Sequence, residues 1–428
     1  MKSVKSLVLK LLRYMVFILG RFVYYAKYMV SLFHIAKVKR RVFKKSKDNK
    51  VMNVVFIIQY VPSWNKLEPI YQKMKNDCRF NPSIVCVPME IENHELKKLT
   101  NETYDYFVNK GYDVINAITG DKEWFDIRQL TPDFVFHSRP YNYVMPSCYT
   151  SDCIKKYALI CNILYGPNLT ENGQNVTINQ DYFKDVFCYF AFEKSDLEFY
   201  KNRFWLGINS KVQCCYSYGA IGIEHILMSQ SKKDNSPFRK TVLWTPRWST
   251  DPYIGGSNFF KYIKNIVLLI HEFPDILFII RPHPLMFENF VKNKEMTEHE
   301  VREFKGWCEE TPNVQLDESK EYSKTFWNTD LLITDGSAIV VEYFVTKKPI
   351  LFCQSPNPFR YAKYAKDMIS TCYEINNSAD LRKAFIKVVS GKDEKKELRI
   401  QCINKYFSNA VLNSTNIIEF LANVKQVR

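Results

Sequence analysis

Several absences in the chain exclude whole classes of function. Its 12 cysteines are scattered from Cys78 to Cys402, with no C-x-x-C pair and no paired Cys/His spacing. That pattern excludes a zinc framework and leaves most of them as small buried hydrophobes of a reducing compartment. No apolar run reaches the roughly 18 residues a spanning helix needs, because Arg13, Arg21 and Lys27 interrupt the N-terminal one. No small-x-small cleavage site follows that run, so a secretory signal is not expected and the chain should stay cytosolic. Sequons such as Asn168-Leu169-Thr170 then carry no meaning. Net charge is nearly missing from most of the molecule. Of the net +15, residues 1–50 hold +13, with fourteen Lys or Arg against the single acid Asp48, which leaves +2 for residues 51–428. A nearly neutral folded part without basic and aromatic repeats excludes a nucleic-acid binder. Glycine is scarce too, 13 in 428 residues, about 3% against a usual ~7%. A glycine at a turn is therefore informative.

What is present is apolar and aromatic. Hydrophobic residues make up 46% and aromatics 15%, enough for most of the length to pack into two or three domains. Residues 2–30 contain no proline and one glycine, Gly20, and predict a helix. At about 100° per residue, Lys2, Lys5, Lys10, Arg13, Arg21 and Lys27 share one sector. Val4, Leu7, Val8, Leu11, Met15, Ile18, Phe22, Tyr25 and Met29 line the opposite face. Such a helix is expected to lie in a membrane surface. The polybasic stretch Lys37–Lys50 would add attraction to anionic head groups. The other reading is a helix packed on the folded domain with its charged face in water.

Beyond residue 50, short apolar runs alternate with amphipathic stretches, the pattern of parallel α/β domains. The first block, residues 51–230, predicts strands at Asn53–Gln59, Ser83–Pro88, Asp113–Ile115 and Asp133–His137, with helices over Lys66–Asn76 and His94–Lys110. A polar linker, Ser229–Lys240, separates it from a second block over 241–395. Strands are expected there at Thr241–Trp244, Ile276–Arg281, Leu331–Thr334 and Ile350–Phe352. Residues 396–428 read as a C-terminal helical segment, with Thr415–Val424 helical in pattern.

Three of the second block's strands end in polar loops, and open parallel sheets bind ligands at the carboxyl ends of their strands. The first loop is Thr245-Pro246-Arg247-Trp248-Ser249. The second is Arg281-Pro282-His283-Pro284, where two prolines fix the backbone around His283. The third is Thr334-Asp335-Gly336-Ser337, followed by the helical run Ala338–Thr346 carrying Glu342. A helix start after Gly336 offers N–H groups suited to phosphate. Taken singly, Asp335 or Ser337 fits an N-cap, His283 a structural histidine and Arg247 a surface cation. Their conjunction in one block points to a ligand site.

The runs Leu243–Ser249 and Ile280–Leu285, and above all Asp330–Phe344 with Lys348-Pro349-Ile350, resemble the CDP-glycerol glycerophosphotransferases of teichoic acid and capsule polymer assembly. That family shows an "(A/T)PTWR" loop, an "R-x-HP" loop and a "TDYSS" turn leading to an acidic residue. Here Gly336 and Ala338 replace Tyr and the second Ser, Arg247 stands where Thr is usual, and Ser249 stands where Arg is usual. A weaker likeness extends to Pro132–Tyr141 and to Tyr165-Gly166-Pro167, where wall teichoic members carry a His-Gly loop.

The resemblance implies an α/β GT-B architecture, two Rossmann-like domains facing a cleft. The C-terminal one would grip a CDP-linked donor and the N-terminal one would admit a lipid-linked acceptor. It implies transfer of glycerol phosphate or a related alditol phosphate to an acceptor hydroxyl, with release of CMP. His283 and Arg281 would contact phosphate, with His137 as a substitute general base. Thr245, Arg247, Asp335, Gly336, Ser337, Ala338 and Glu342 would form the donor site, with Ser337 and the turn's backbone N–H groups cradling the diphosphate, Asp335 shaping that turn and Glu342 reaching a ribose hydroxyl. No metal or other cofactor is expected. The alternative is a GT-B glycosyltransferase using a nucleotide sugar.

Overall fold

Parallel strands covered on both faces must be apolar along their whole length, and the computed structural model shows where this chain meets that demand. It describes residues 2–88, 101–120, 123–251, 256–355 and 359–424, without the side chains of 2–13 and 17. One sheet contains β1 (Met52–Ile58), β2 (Phe80–Cys86), β3 (Ile115–Asn116), β4 (Phe134–His137), β5 (Leu159–Ile163), β6 (Val186–Phe190) and β7 (Cys214–Tyr216). Its strands are parallel, in the order β3-β2-β1-β4-β5-β6-β7. A second sheet contains β8 (Lys240–Thr245), β9 (Ile276–Ile280), β10 (Val314–Leu316), β11 (Leu331–Thr334), β12 (Ile350–Cys353) and β13 (Tyr373–Ile375). It is also parallel, in the order β10-β9-β8-β11-β12-β13. Each sheet reverses its winding beside its first strand, between β1 and β4 or between β8 and β11, which is where open α/β sheets form their binding crevice. Of the predicted helix His94–Lys110, residues 101–110 are described, with helix at Glu102–Asn109; 94–100 lie outside the described residues.

The chain divides into two compact units, each with its own core. Unit 1 is Met1–Leu164, Ile178–Gly219 and Thr415–Arg428; unit 2 is Tyr165–Thr177 and Ala220–Ser414. These bounds differ from the expected 1–50, 51–230, 241–395 and 396–428. The polar run after Ser229 is a surface loop of unit 2 rather than a junction, because the helix before it, Ile221–Met228, is already held there. Glu224 accepts from the backbone N–H of Ser414 at 2.8 Å, and Trp327 Nε1 donates to the carbonyl of Ile226 at 2.8 Å. Residues 165–177 belong to unit 2 through hydrogen bonds from Ala362 N–H to Leu169 O (2.8 Å) and from Tyr364 Oη to Asn168 O (2.6 Å). The last helix, Asn413–Ala422, returns to unit 1. There Phe420 meets the rings of Phe187 and Tyr216, and Glu419 pairs with Arg79 at 2.6 Å.

The N-terminal helix departs most from expectation. A single helix, α1, runs from Lys2 to Lys47, so the amphipathic and polybasic parts are one element and not an anchor followed by a tail. From Tyr28 onward α1 is part of unit 1's core: Tyr28, Leu32, Ile35, Val38 and Val42 are buried. Tyr28 Oη donates to Gln213 Oε1 at 2.6 Å. Ser31 Oγ donates at 2.6 Å to Asp185, a buried carboxylate that also takes Lys155 at 2.8 Å and Lys184 at 3.0 Å. By length and composition alone the stretch Tyr14–Lys47 is long and apolar enough to cross a membrane. Before Tyr28, half-buried Tyr24 already meets unit 1, with the Arg203 guanidinium 4.4 Å from its ring centre.

Candidate functional site

Within unit 2, one carboxylate ties the loop after β11 to the segment after β8, and a backbone hydrogen bond from His283 N–H to Pro246 O joins the loop after β9 to the same segment. Asp335 is buried, and its oxygens accept from the Arg247 N–H (2.9 Å), the Asn258 N–H (3.3 Å) and Asn258 Nδ2 (2.9 Å). Burial raises its pKa, opposed by those donors and by the Arg247 charge. Asp335 therefore acts as the peg on which the loop after β8 is hung. Beneath it, register partners Thr245 and Thr334 join hydroxyl to hydroxyl at 2.7 Å, both buried. The Thr245 side chain thus braces the crevice floor.

Arg247 reaches across to the next loop. Its Nη1 donates to the Gly336 carbonyl at 2.6 Å, and its guanidinium lies 5.9 Å from the Phe359 ring centre. Gly336 is crowded, since a Cβ there would meet Tyr361 Oη at 3.1 Å and the tyrosine hydroxyl would have to give way by a few tenths of an ångström. Ser337 opens the helix Ala338–Phe344, but its side chain caps nothing, and its buried Oγ has no hydrogen-bond partner among the described residues. The helix has seven residues. Ala338 lies beside Gly166, where a Cβ would come within 3.6 Å of the Ala338 methyl. The Tyr165-Gly166 loop therefore sits against this turn.

His283 is held by its own loop. Its N–H donates to Pro246 O at 3.2 Å, and its Nδ1 accepts from the Leu285 N–H at 3.2 Å. An accepting Nδ1 places the proton of the neutral ring on Nε2. Burial, then the nearby Arg247 charge, pushes its pKa down to about 4. The ring is neutral at physiological pH and is an N–H donor there, not a cation.

Three expected contacts are taken up elsewhere. Arg281 is buried and donates from Nη1 to Asp317 (2.6 Å) and Ser319 Oγ (3.1 Å) and from Nη2 to Ser319 O (2.6 Å). Its guanidinium also lies 5.5 Å from the Tyr322 ring centre. Three of its donor contacts are spent on the loop 317–322, so it secures that loop instead of meeting a phosphate. Glu342 is buried and accepts from the Tyr322 hydroxyl, so its place is set by the same loop. His137 lies in unit 1, 2% exposed, with Nε2 at 2.9 Å from Tyr149 O and Nδ1 at 3.2 Å from Tyr182 Oη. Both nitrogens are engaged and burial lowers its pKa to about 4. That setting suits a residue pinning the 141–149 loop and does not suit a general base.

Sequence reasoning passed over Ser355, Asn258 and Tyr361. Ser355 follows β12 as the other loops follow their strands, and its buried Oγ, like that of Ser337, lacks a partner among the described residues. Position after a strand was the signal that could have found it. Asn258 carries none.

Residues 231–410 match the family model of CDP-Glycerol:Poly(glycerophosphate) glycerophosphotransferase. No curated protein matches the chain. Among solved structures, a Listeria monocytogenes protein assigned as a UDP-N-acetylglucosamine 2-epimerase aligns with TM-score 0.59 at 11% identity, covering 88% of this chain and 98% of that one. The UDP-GlcNAc 2-epimerase of Neisseria meningitidis aligns with TM-score 0.57 at 12% identity, covering 86% and 99%. A structure of the wall teichoic acid polymerase TagF, soaked with CDPG, aligns with TM-score 0.48 at 12% identity, covering 94% and 98%. The first two likenesses are of fold: two parallel α/β sheets of the GT-B type. The loops Thr245–Ser249, Arg281–Pro284 and Thr334–Ser337 all fall inside the matched segment.

Proposed function

We propose, from a second domain that is glycerophosphotransferase-like over residues 231–410, that the chain moves glycerol phosphate, or a related alditol phosphate, from a CDP-linked donor to an acceptor hydroxyl. The observation that carries this reading is the convergence in unit 2 of Arg247 with the Gly336 turn and the His283 ring. In the reaction the acceptor oxygen bonds to the phosphorus bearing the glycerol. The bond from that phosphorus to the oxygen bridging it to CMP breaks, and the hydroxyl proton leaves to solvent or base. Negative charge grows on the phosphoryl oxygens and on the departing CMP, so fixed donors aimed there lower the barrier. His283 Nε2–H, Arg247 and the Ser337 hydroxyl are assigned that work, and Ser355 a donor contact. Asp335 and Thr245 brace the loop that carries Arg247, while Arg281 secures the neighbouring 317–322 loop.

The acceptor is read as lipid-linked and the enzyme as peripheral on the cytoplasmic face of a membrane, because the part of α1 clear of unit 1 exposes a long apolar face. Assembly of a cell-surface polymer fits both. Transfer of a sugar is the second reading, favoured by Tyr165-Gly166 where wall teichoic relatives carry His-Gly, with His137 enclosed. Purified protein incubated with CDP-glycerol, CDP-ribitol and a set of UDP-sugars decides between them. The expected result is CMP release from a CDP-alditol, and UDP release alone would replace the first reading with the second.

A further inference from the structure

The polybasic run of α1 serves two different partners, and the helix geometry sorts them. At about 100° per residue, the buried residues Tyr28, Leu32, Ile35, Val38, Val42 and Ser46 define the sector facing unit 1. The opposite sector, about 80° wide, carries Met15, Leu19, Phe22, Met29 and Phe33, which are 57%, 62%, 75%, 54% and 67% exposed. Further along the helix that same sector carries Lys37, Arg40, Lys44 and Lys47. All four are exposed, and their side chains enter no hydrogen bond or ion pair among the described residues. The cations between them are committed to protein: Lys39 Nζ to Lys211 O (2.6 Å), Arg41 to Pro132 O and Tyr157 O (3.0 and 2.9 Å), and Lys45 to Asp133.

We propose that the outward sector of α1 docks on an anionic bilayer surface. Met15 to Phe33 lie in the interface, Lys37, Arg40, Lys44 and Lys47 lie on head groups, and Lys39, Arg41 and Lys45 take no part. This rests on the membrane reading above and says which residues carry it. Charge selects the occupant, since the outward sector holds four cations and the lone acid of residues 1–50, Asp48, follows the helix. A second copy of the helix would bring like charges together, whereas anionic lipid neutralises them. Because α1 is continuous and its other side is unit 1's core, the helix lies flat with unit 1 one helix diameter, about 10 Å, above the lipid.

Flotation of the full chain with phosphatidylcholine vesicles, with and without phosphatidylglycerol, tests this. Glutamine at Lys37, Arg40, Lys44 and Lys47 together is expected to weaken binding to the anionic vesicles at least a hundredfold, at roughly fivefold per cation, with the melting temperature unchanged. Glutamine at Lys39, Arg41 and Lys45 is expected to lower the melting temperature and leave binding by the folded protein within threefold. Equal losses from both sets overturn the sorting while leaving membrane association intact. Failure of the unaltered chain to bind any vesicle overturns the membrane reading itself. Lipid-free dimers abolished by Phe22→Ser and Phe33→Ser would give the face to a second copy. Resistance to alkaline extraction would overturn the flat placement.

Discussion

His283, partly buried, and His137, fully buried, both have pKa values lowered to about 4, yet their surroundings assign them different work. His283 Nδ1 has a single backbone donor, so its Nε2–H remains the group to offer a phosphate. Replacing it with alanine should lower CMP release about 10²–10³-fold, while glutamine, which keeps an N–H, should recover part of the loss. Activity should cross pH 6.5 without the limb of a protonating histidine, measured as initial rate against pH; a limb at that pH removes the neutral-donor role. Stability follows the same shift. The unfolded ring takes its proton near pH 6.5 and the folded ring only near 4, so the unfolded state binds more protons in that window. Stability should therefore fall as pH drops from 6.5 to 4, by up to about 3 kcal/mol per ring, seen as urea midpoints at the two ends. His137→Phe should cost about 2–4 kcal/mol by leaving Tyr149 O and the Tyr182 hydroxyl without their partner, with turnover per folded molecule retained. At Arg281 the expectation is a loss of about 3–5 kcal/mol on mutation to alanine, because Asp317 would be left buried and unpaired. A double-mutant cycle with Asp317→Asn in urea melts should recover most of it, which loss of a phosphate contact would not. Nothing in R-P-H-P separates an arginine that binds phosphate from one that binds an aspartate 36 positions on, which is why the sequence misplaced it.

Elements were more legible than residues where their chemistry is repetitive. The apolar runs at β1, β8, β9, β11 and β12 are readable because a strand buried on both faces tolerates nothing else. The three polar loops were readable because they follow such strands. β5 and β6 carry the same signal in Leu159–Ile163 and Val186–Phe190 and were passed over. For α1 the sequence misled by charge: a lysine-rich segment reads as solvated, while the repeat of Tyr28, Leu32, Ile35, Val38, Val42 and Ser46 beneath the lysines is the core-facing signal. Two truncations measure the difference. Removing residues 1–23, which keeps Tyr24 against Arg203, should leave the melting temperature of unit 1 within a few degrees. Removing 1–47 uncovers several buried aliphatic side chains at about 1.5–3 kcal/mol each and strips Asp185 of Ser31, and should abolish cooperative folding of that unit by circular dichroism.

At the scale of the whole molecule, two separate cores and a donor site assigned to one of them have a calorimetric consequence. Two unfolding transitions are expected, and CMP at a hundred times its dissociation constant should stabilise unit 2 by about 2.7 kcal/mol. Equal stabilisation of both transitions would count against a donor site built within unit 2 alone. The chain also passes between the units four times, at residues 164/165, 177/178, 219/220 and 414/415. The strand order of unit 1 is complete by Tyr216, but its packing waits for Phe420, Glu419 and Ala422, whose carbonyl receives Ser46 Oγ at 2.8 Å. The ribosome makes the intervening stretch, some two hundred residues, at about 5–20 residues per second, on the order of 10–40 s. The domain synthesised first is thus the one closed last, and throughout that interval the surface it will cover with its final helix is open to chaperones.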